Sequence, residues 1–146
     1  LHLDADLRLD CGEGRRYAVC DYWNRRFLGV FGESLPLEIP AFDTAVLRIT
    51  PLDDVPEIVF TSRHITQGAV ELREIVRGED GSLAGTALCV PGETWRMMVL
   101  LPEGWEFLGA DSSIPAETSC GGEGLLEVAF HPVREKEVRW KLRFRR

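Results

Sequence analysis

Short stretches in which apolar and polar residues alternate recur along this chain, and they restrict its fold more than any other feature. The clearest stretch is 137–145, where every second residue is apolar: Val138, Trp140, Leu142 and Phe144. Successive side chains of a β-strand point to opposite faces, so the alternation indicates a strand with one buried face. Turn residues separate such stretches about every 8–12 residues, and no segment has a helical period. The pattern predicts an all-β fold, an antiparallel β-sandwich with Greek-key-like connections.

The other candidate strands are distributed over the whole chain. They are 3–11, a strand–turn–strand at 15–29, then 34–39, 44–50, 57–62, 70–76, 83–90, 94–101, 105–108 and 124–130. Pro36 and Pro40 indicate that 34–39 lies at a sheet edge, because proline cannot donate to a strand ladder. The stretch 57–62 is apolar on both faces, which indicates a central strand. A boundary near Gly68 divides the chain into β units 1–67 and 68–146, unless the second continues the same sandwich.

Composition limits the partners that the chain can have. The 146 residues, 45% of them apolar, are enough for one domain or two small ones. A net charge of −7 disfavours non-specific binding to nucleic acid or anionic membrane, and no apolar run could span a bilayer. The chain starts at Leu1 without methionine, so we expect a fragment of a larger protein whose upstream signal, if any, is not visible.

The four cysteines show no C-x-x-C spacing, so we expect no metal site and no cofactor. Cys20 and Cys89 lie within apolar strand patterns and are expected to be buried thiols. Unpaired thiols favour a reducing compartment, and we therefore expect a cytoplasmic protein.

Residues with catalytic potential have simpler structural explanations. Asp53 and Asp54 are adjacent in a turn, and Asp21 ends a strand where it is expected to accept turn N–H groups. Nucleophile-elbow, zincin and P-loop motifs do not occur in the sequence. We therefore predict no catalytic residue, and we do not expect a free-standing enzyme.

The candidate binding residues belong to turns and to one polar loop. Tyr22 and Trp23 follow the first strand of 15–29, and Trp105 follows a Pro-Glu-Gly turn, so these aromatic rings are expected to be available for an interdomain contact or for stacking on a sugar. Arg63 and His64 lie in the polar loop 61–68, where they would face a ligand or a neighbouring domain, or else serve only the loop itself.

Three sequence segments occur in the same order as in a known family. They are R-R-Y-A-V-C-D-Y-W-N-R-R-F-L-G at 15–29, L-E-I-P-A-F-D-T-A-V-L-R-I-T-P at 37–51 and E-I-V-F-T-S-R-H-I-T-Q-G-A-V at 57–70. Together they resemble the C-terminal β-sandwich of melibiase-type glycoside hydrolases, which include the α-galactosidases. The resemblance covers about residues 15–70 and is loose beyond residue 75.

The resemblance implies a non-catalytic domain that packs on and stabilises a catalytic (β/α)8 barrel of the same polypeptide. The two catalytic aspartates of that family lie on barrel strands, and this chain has no matching motif, so no catalytic role is carried over. The surface facing the barrel would include the 15–29 hairpin and the 61–68 loop. The alternative is a carbohydrate-binding β-sandwich module that uses Tyr22, Trp23 or Trp105.

Overall fold

All strand pairs in the computed structural model are antiparallel, and the prediction of an all-β sandwich-like fold is confirmed. The structure describes residues 1–9, 12, 14–63, 66 and 68–146. The strands are β1 Arg16–Asp21, β2 Arg26–Phe31, β3 Leu47–Leu52, β4 Glu57–Thr61, β5 Leu72–Arg77, β6 Leu83–Leu88, β7 Trp95–Leu100, β8 Glu106–Ser112, β9 Ala116–Cys120, β10 Leu125–Phe130 and β11 Glu137–Arg145. This part of the chain contains no helix long and apolar enough to cross a membrane.

The first compact unit, Leu1–Asp53, is built on the sheet β2-β1-β3. β1 and β2 form the hairpin expected at 15–29, and both faces of β1 are buried. A small core of Leu3, Tyr17, Val19 and Leu35 covers one face. β3 is an edge strand, which is why it can include Pro51 without losing a ladder hydrogen bond on its free side.

The second compact unit, Asp54–Arg146, is a sandwich of two four-stranded sheets. One sheet has the order β4-β7-β10-β9 and the other β5-β6-β11-β8. The connections β5–β6 and β9–β10 each join neighbouring strands of the same sheet. Every other connection between consecutive strands of this unit crosses from one sheet to the other. Inward side chains of both sheets form one core, in which the Trp95 and Phe130 rings stack with centroids 5.7 Å apart.

β11 confirms the alternation that the sequence shows most clearly. Every second side chain is buried, from Val138 to Phe144, and the intervening charged residues are exposed. Two of the exposed arginines pair with acids of β8: Arg143 Nε lies 3.2 Å from Asp111 Oδ2, and Arg145 bonds Glu106. The charged face of β11 is therefore solvated and partly paired with a neighbouring strand, and such exposed pairs contribute little stability.

The predicted strand 3–11 is wrong over its described part, because residues 3–7 form turns. Asp6 Oδ2 accepts a hydrogen bond from His2 N at 2.8 Å, and Asp4 Oδ1 accepts one from Ala5 N at 2.6 Å. Short acidic side chains that bond nearby amides compete with sheet pairing, and the alternation pattern does not record this competition. Residues 10 and 11 lie outside the described residues.

Three further differences concern sheet edges. Residues 35–40 contain no strand, and only Ser34 forms an isolated bridge, with His2. β4 is an edge strand, whereas a central strand was predicted from its two apolar faces. Both faces are buried, but burial of the faces does not require a hydrogen-bonded strand on each side. β9 was not predicted, since its sequence A-E-T-S-C is mostly polar and exposed.

The compact units divide after Asp53, whereas the sequence placed the boundary between 67 and 68. β4 belongs to the second unit because it pairs with β7 through Glu57–Leu100 and Thr61–Met97. The link between β3 and β4 contains Asp53 and Asp54, which were expected in a turn.

Candidate functional site

The turn between β1 and β2 is closed by a carboxylate. Asp21, at the end of β1, is buried and accepts hydrogen bonds from Asn24 N at 3.2 Å and Asn24 Nδ2 at 2.7 Å. Tyr22 O accepts a bond from Arg25 N at 3.2 Å, and Arg25 has a positive φ of 48°. The expected turn role of Asp21 is confirmed, and the turn presents Tyr22 and Trp23 in a fixed arrangement.

The two aromatic rings of this turn pack on each other. Tyr22 is half-buried and Trp23 is 53% exposed. Their centroids are 5.1 Å apart with an interplanar angle of 71°, an edge-to-face geometry that aromatic pairs favour. Tyr22 thereby supports the indole ring while leaving much of it open to solvent.

A large open groove runs beside this turn within the first unit. Its volume is about 1370 Å³, and we call it the hairpin groove. Its lining includes Asp21, Trp23, Asn24, Arg26, Glu38, Phe42 and Asp43. Aromatic rings next to carboxylates and a guanidinium are suited to a ligand with both apolar and polar faces.

Phe42, which also lines the groove, has an unusual backbone conformation. The turn Pro40–Asp43 is closed by a hydrogen bond from Asp43 N to Pro40 O of 3.1 Å, and Phe42 within it has a φ of 66°. Glycine and asparagine are the usual residues at such a position, and the Phe42 side chain is fully exposed. Phe42 was not predicted as a site residue, although an aromatic residue between Pro40 and Asp43 is a sequence signal that could have identified it.

Trp105 lies in the second unit and is half-buried instead of exposed. Its Nε1 donates a hydrogen bond to Asp54 O at 3.1 Å, and its ring covers Gly81 so closely that a Cβ there would overlap it. Trp105 also lines a second groove, of about 630 Å³, with Phe107 and the exposed Cys120. The hydrogen bond to Asp54 and the packing on Gly81 give Trp105 a structural role, and a ligand-binding role for it stays a prediction.

The polar loop after β4 is described only in part. Arg63 Nη1 lies 3.7 Å from Glu93 Oε2, a weak ion pair at the surface. His64, the other candidate residue of this loop, lies outside the described residues. Arg63 and Trp105 thus belong to the second unit, while Tyr22 and Trp23 belong to the first and contact each other.

A buried carboxylate that the sequence analysis missed holds the ends of this loop. Glu71 is only 4% exposed and accepts hydrogen bonds from Thr61 Oγ1 at 2.5 Å, from Gly68 N at 2.6 Å and from Thr66 Oγ1. Burial raises the pKa of Glu71, but the hydrogen bonds from Thr61, Thr66 and Gly68 outweigh it and hold the pKa below its ordinary value. Glu71 is therefore ionised and acts as a structural clamp.

The buried thiols are unreactive. Cys20 and Cys89 are free and buried, as predicted. Burial raises the pKa of Cys20 to about 12 and that of Cys89 to about 11, against a smaller opposing effect of Arg48 and Arg63 respectively. Thiols with such pKa values are not nucleophiles near neutral pH.

One hydrogen-bonded series in the second unit has the order of a catalytic triad. Thr94 Oγ1 lies 3.1 Å from His131 Nδ1, and His131 Nε2 lies 3.1 Å from Glu117 Oε2. Both His131 and Glu117 are exposed, so water competes for each contact. A threonine hydroxyl in this solvated setting is a weak nucleophile, and we interpret the series as a link between the ends of β7, β9 and β10.

Within the described ranges, no group of three or more His, Cys, Asp or Glu side chains is arranged to hold a metal ion. The hairpin groove with Trp23 and Phe42 is therefore the candidate site with the most distinctive chemistry. Comparison with known protein families, with curated proteins and with solved structures finds no match to this chain.

Proposed function

We propose that this chain is a non-catalytic C-terminal β-sandwich domain of a melibiase-like, α-galactosidase-like glycoside hydrolase. In this proposal it packs on the catalytic (β/α)8 barrel of the same polypeptide and stabilises it. The observation that carries the proposal is Phe42, a fully exposed aromatic side chain on a turn whose backbone conformation disfavours it.

The backbone conformation of Phe42 lowers the stability of the chain, and its fully exposed ring does not offset this cost. A non-glycine residue at positive φ costs on the order of 1 kcal/mol or more, and exposure of the ring recovers none of this cost by burial. Such strain is retained where it serves a function. Ile39, which is 49% exposed, extends the apolar surface next to this turn. An apolar surface of this kind is suited to burial against another domain.

The sequence resemblance supplies the identity of the partner. Phe42 and Ile39 lie in the second of the three segments, 37–51, that resemble the β-sandwich of melibiase-type enzymes. Because the resemblance implies a catalytic barrel in the same polypeptide, it favours this barrel as the partner that covers Phe42 and Ile39. The free thiols Cys20 and Cys89 support the further proposal of a reducing, cytoplasmic setting.

The substitution Phe42→Gly separates docking from folding. Glycine adopts positive φ without strain, so we expect the melting temperature of the isolated chain to stay constant or rise slightly. In the whole enzyme we expect the melting temperature to fall, by about 2–4 °C for each 1 kcal/mol of docking energy lost, while kcat stays unchanged.

Val133→Ala is the matched control, because Val133 is also an exposed apolar side chain but lies in the second unit. We expect it to change neither melting temperature. A loss of kcat without a change of melting temperature in Phe42→Gly, or an equal loss of stability with and without the barrel, would refute the docking role.

A further inference from the structure

We infer that the hairpin groove binds a neutral oligosaccharide, with Trp23 as the stacking platform. This inference goes beyond the proposed function, which assigns Phe42 and Ile39 to a contact with the barrel. It concerns the turn between β1 and β2, and it requires no partner domain.

The indole of Trp23 has the exposure and the support that stacking requires. Slightly more than half of its surface is open, at 53%, and the half-buried Tyr22 contacts it edge to face. The C–H groups of a pyranose face pack on an aromatic ring, where the apolar contact and the ring's negative face both favour them. Because Asp21 and Asn24 fix the turn, little conformational entropy is lost when a ligand binds.

Polar groups next to Trp23 match the hydroxyl groups of a sugar. Asn24 and Arg26 are exposed and line the same groove as Trp23. An amide offers both donors and acceptors, and a guanidinium offers several donors in a plane. A ligand with an apolar face and a rim of hydroxyl groups satisfies both requirements.

The charge of the groove selects against acidic sugars. Three carboxylates, those of Asp21, Glu38 and Asp43, line it and outnumber the two cations, the guanidinium of Arg26 and the N-terminal ammonium of Leu1. Uronates and sulfated sugars would bring like charges close together, which is unfavourable. The ligand class is therefore a neutral saccharide.

The size of the groove favours a chain of sugars over a single one. Its volume of about 1370 Å³ exceeds the roughly 300–1,000 Å³ that is usual for small-molecule sites. A groove of this volume has room for several sugar units next to Trp23.

The test is titration of the 146-residue chain with neutral α-galactoside and α-glucan oligosaccharides and with oligogalacturonate as the anionic probe. Calorimetry and tryptophan fluorescence report binding. Trp95 and Trp140 are buried and Trp105 is half-buried, so loss of the fluorescence change in Trp23→Phe is what assigns the signal to Trp23. We expect a neutral oligosaccharide to bind with a Kd of about 1 mM or tighter, and the anionic probe to bind more weakly.

We expect Trp23→Ala to weaken binding by roughly tenfold or more, Trp23→Phe to weaken it less, and Val133→Ala to leave it unchanged. Circular dichroism confirms that each variant is folded, and Trp23→Phe preserves an aromatic ring in the turn. No signal with any neutral saccharide at about 10 mM, equal binding by Trp23→Ala, or a preference for the anionic probe would each overturn the inference. The Phe42→Gly comparison measures docking by melting temperature, so either proposal can fail without the other.

Discussion

At the scale of single residues, Glu71 shows how one buried charge can organise a loop. Its carboxylate accepts hydrogen bonds from Thr61 and Gly68, at the two ends of the polar loop 61–68, and from Thr66 within it. Hydrogen bonds to an ionised acceptor are stronger than neutral ones, and together they compensate for the cost of burying the charge. Arg63, one of the candidate binding residues, lies in the segment that Glu71 holds.

The clamp predicts an acid-dependent stability. The folded-state pKa of Glu71 lies below its ordinary value of 4.5, so its contribution to stability is complete above pH 4.5 and is lost as the pH falls through the folded-state pKa. We expect Glu71→Gln to lower the free energy of unfolding at pH 7 by about 2 kcal/mol and to flatten the acid limb of the stability curve. Urea unfolding at a series of pH values measures both effects.

Glu135→Gln is the matched control, since Glu135 also accepts two backbone N–H groups, of Val133 and Arg134, but is exposed. We expect its effect at pH 7 to be much smaller than that of Glu71→Gln. Equal effects of the two substitutions would contradict the clamp.

Single residues also show the limit of what sequence can predict about the site. Trp23 lies in a turn and Trp105 follows one, yet Trp23 is exposed and Trp105 is half-buried, because Trp105 packs on Gly81, which is 24 positions earlier in the chain. Glu71 lies within an apolar stretch and bonds Thr61 across the loop. Such contacts depend on tertiary geometry that local patterns do not contain.

At the scale of elements, the pair β6–β11 depends on the absence of a side chain. Gly85 lies opposite Trp140 in the register, and the buried Trp140 ring packs over it. A Cβ at Gly85 would lie 3.0 Å from Trp140 Cζ2 and 3.1 Å from Arg73 O. Neither group can move freely, because the ring is in the core and the carbonyl belongs to β5.

We therefore predict that Gly85→Ala lowers the free energy of unfolding by about 1–3 kcal/mol, as overpacking does in close-packed cores. Gly122→Ala is the control, since nothing lies within 4 Å of a Cβ at that position. It should be neutral or slightly stabilising. Chemical unfolding followed by circular dichroism provides the measurement, and equal stability of the two variants would show that Trp140 does not constrain β6.

Strands were predictable where one face is buried and the other is charged. β11 satisfies this condition along its whole length, and its bounds were predicted correctly as 137–145. β9 is polar and exposed and gave no signal, while residues 3–7 alternate in sequence but form turns stabilised by Asp4 and Asp6. The alternation of apolar and polar residues predicts a strand with one buried face. It does not predict strands that are exposed at a sheet edge, and it predicts strands wrongly where local side-chain hydrogen bonds stabilise turns.

At the scale of the whole molecule, the fold class can be predicted from the alternation of apolar and polar residues and from the turn residues. The boundary between the two compact units cannot. The sequence signal near Gly68 reflects a polar loop, whereas the compact units divide after Asp53 because β4 pairs with β7. The proposed site lies entirely in the first unit, around Trp23 and Phe42. Its apolar surface could be anticipated only in part, from the aromatic hairpin.

The central claim, that the first unit packs on a catalytic domain, is tested most directly by hydrogen–deuterium exchange. The amides of residues 39–44 are compared in the isolated chain and in the whole enzyme, with residues 133–135 of the second unit as the internal reference. We predict slower exchange of 39–44 in the whole enzyme and equal exchange of 133–135 in both. Equal exchange of 39–44 in the two proteins would contradict the proposed docking surface.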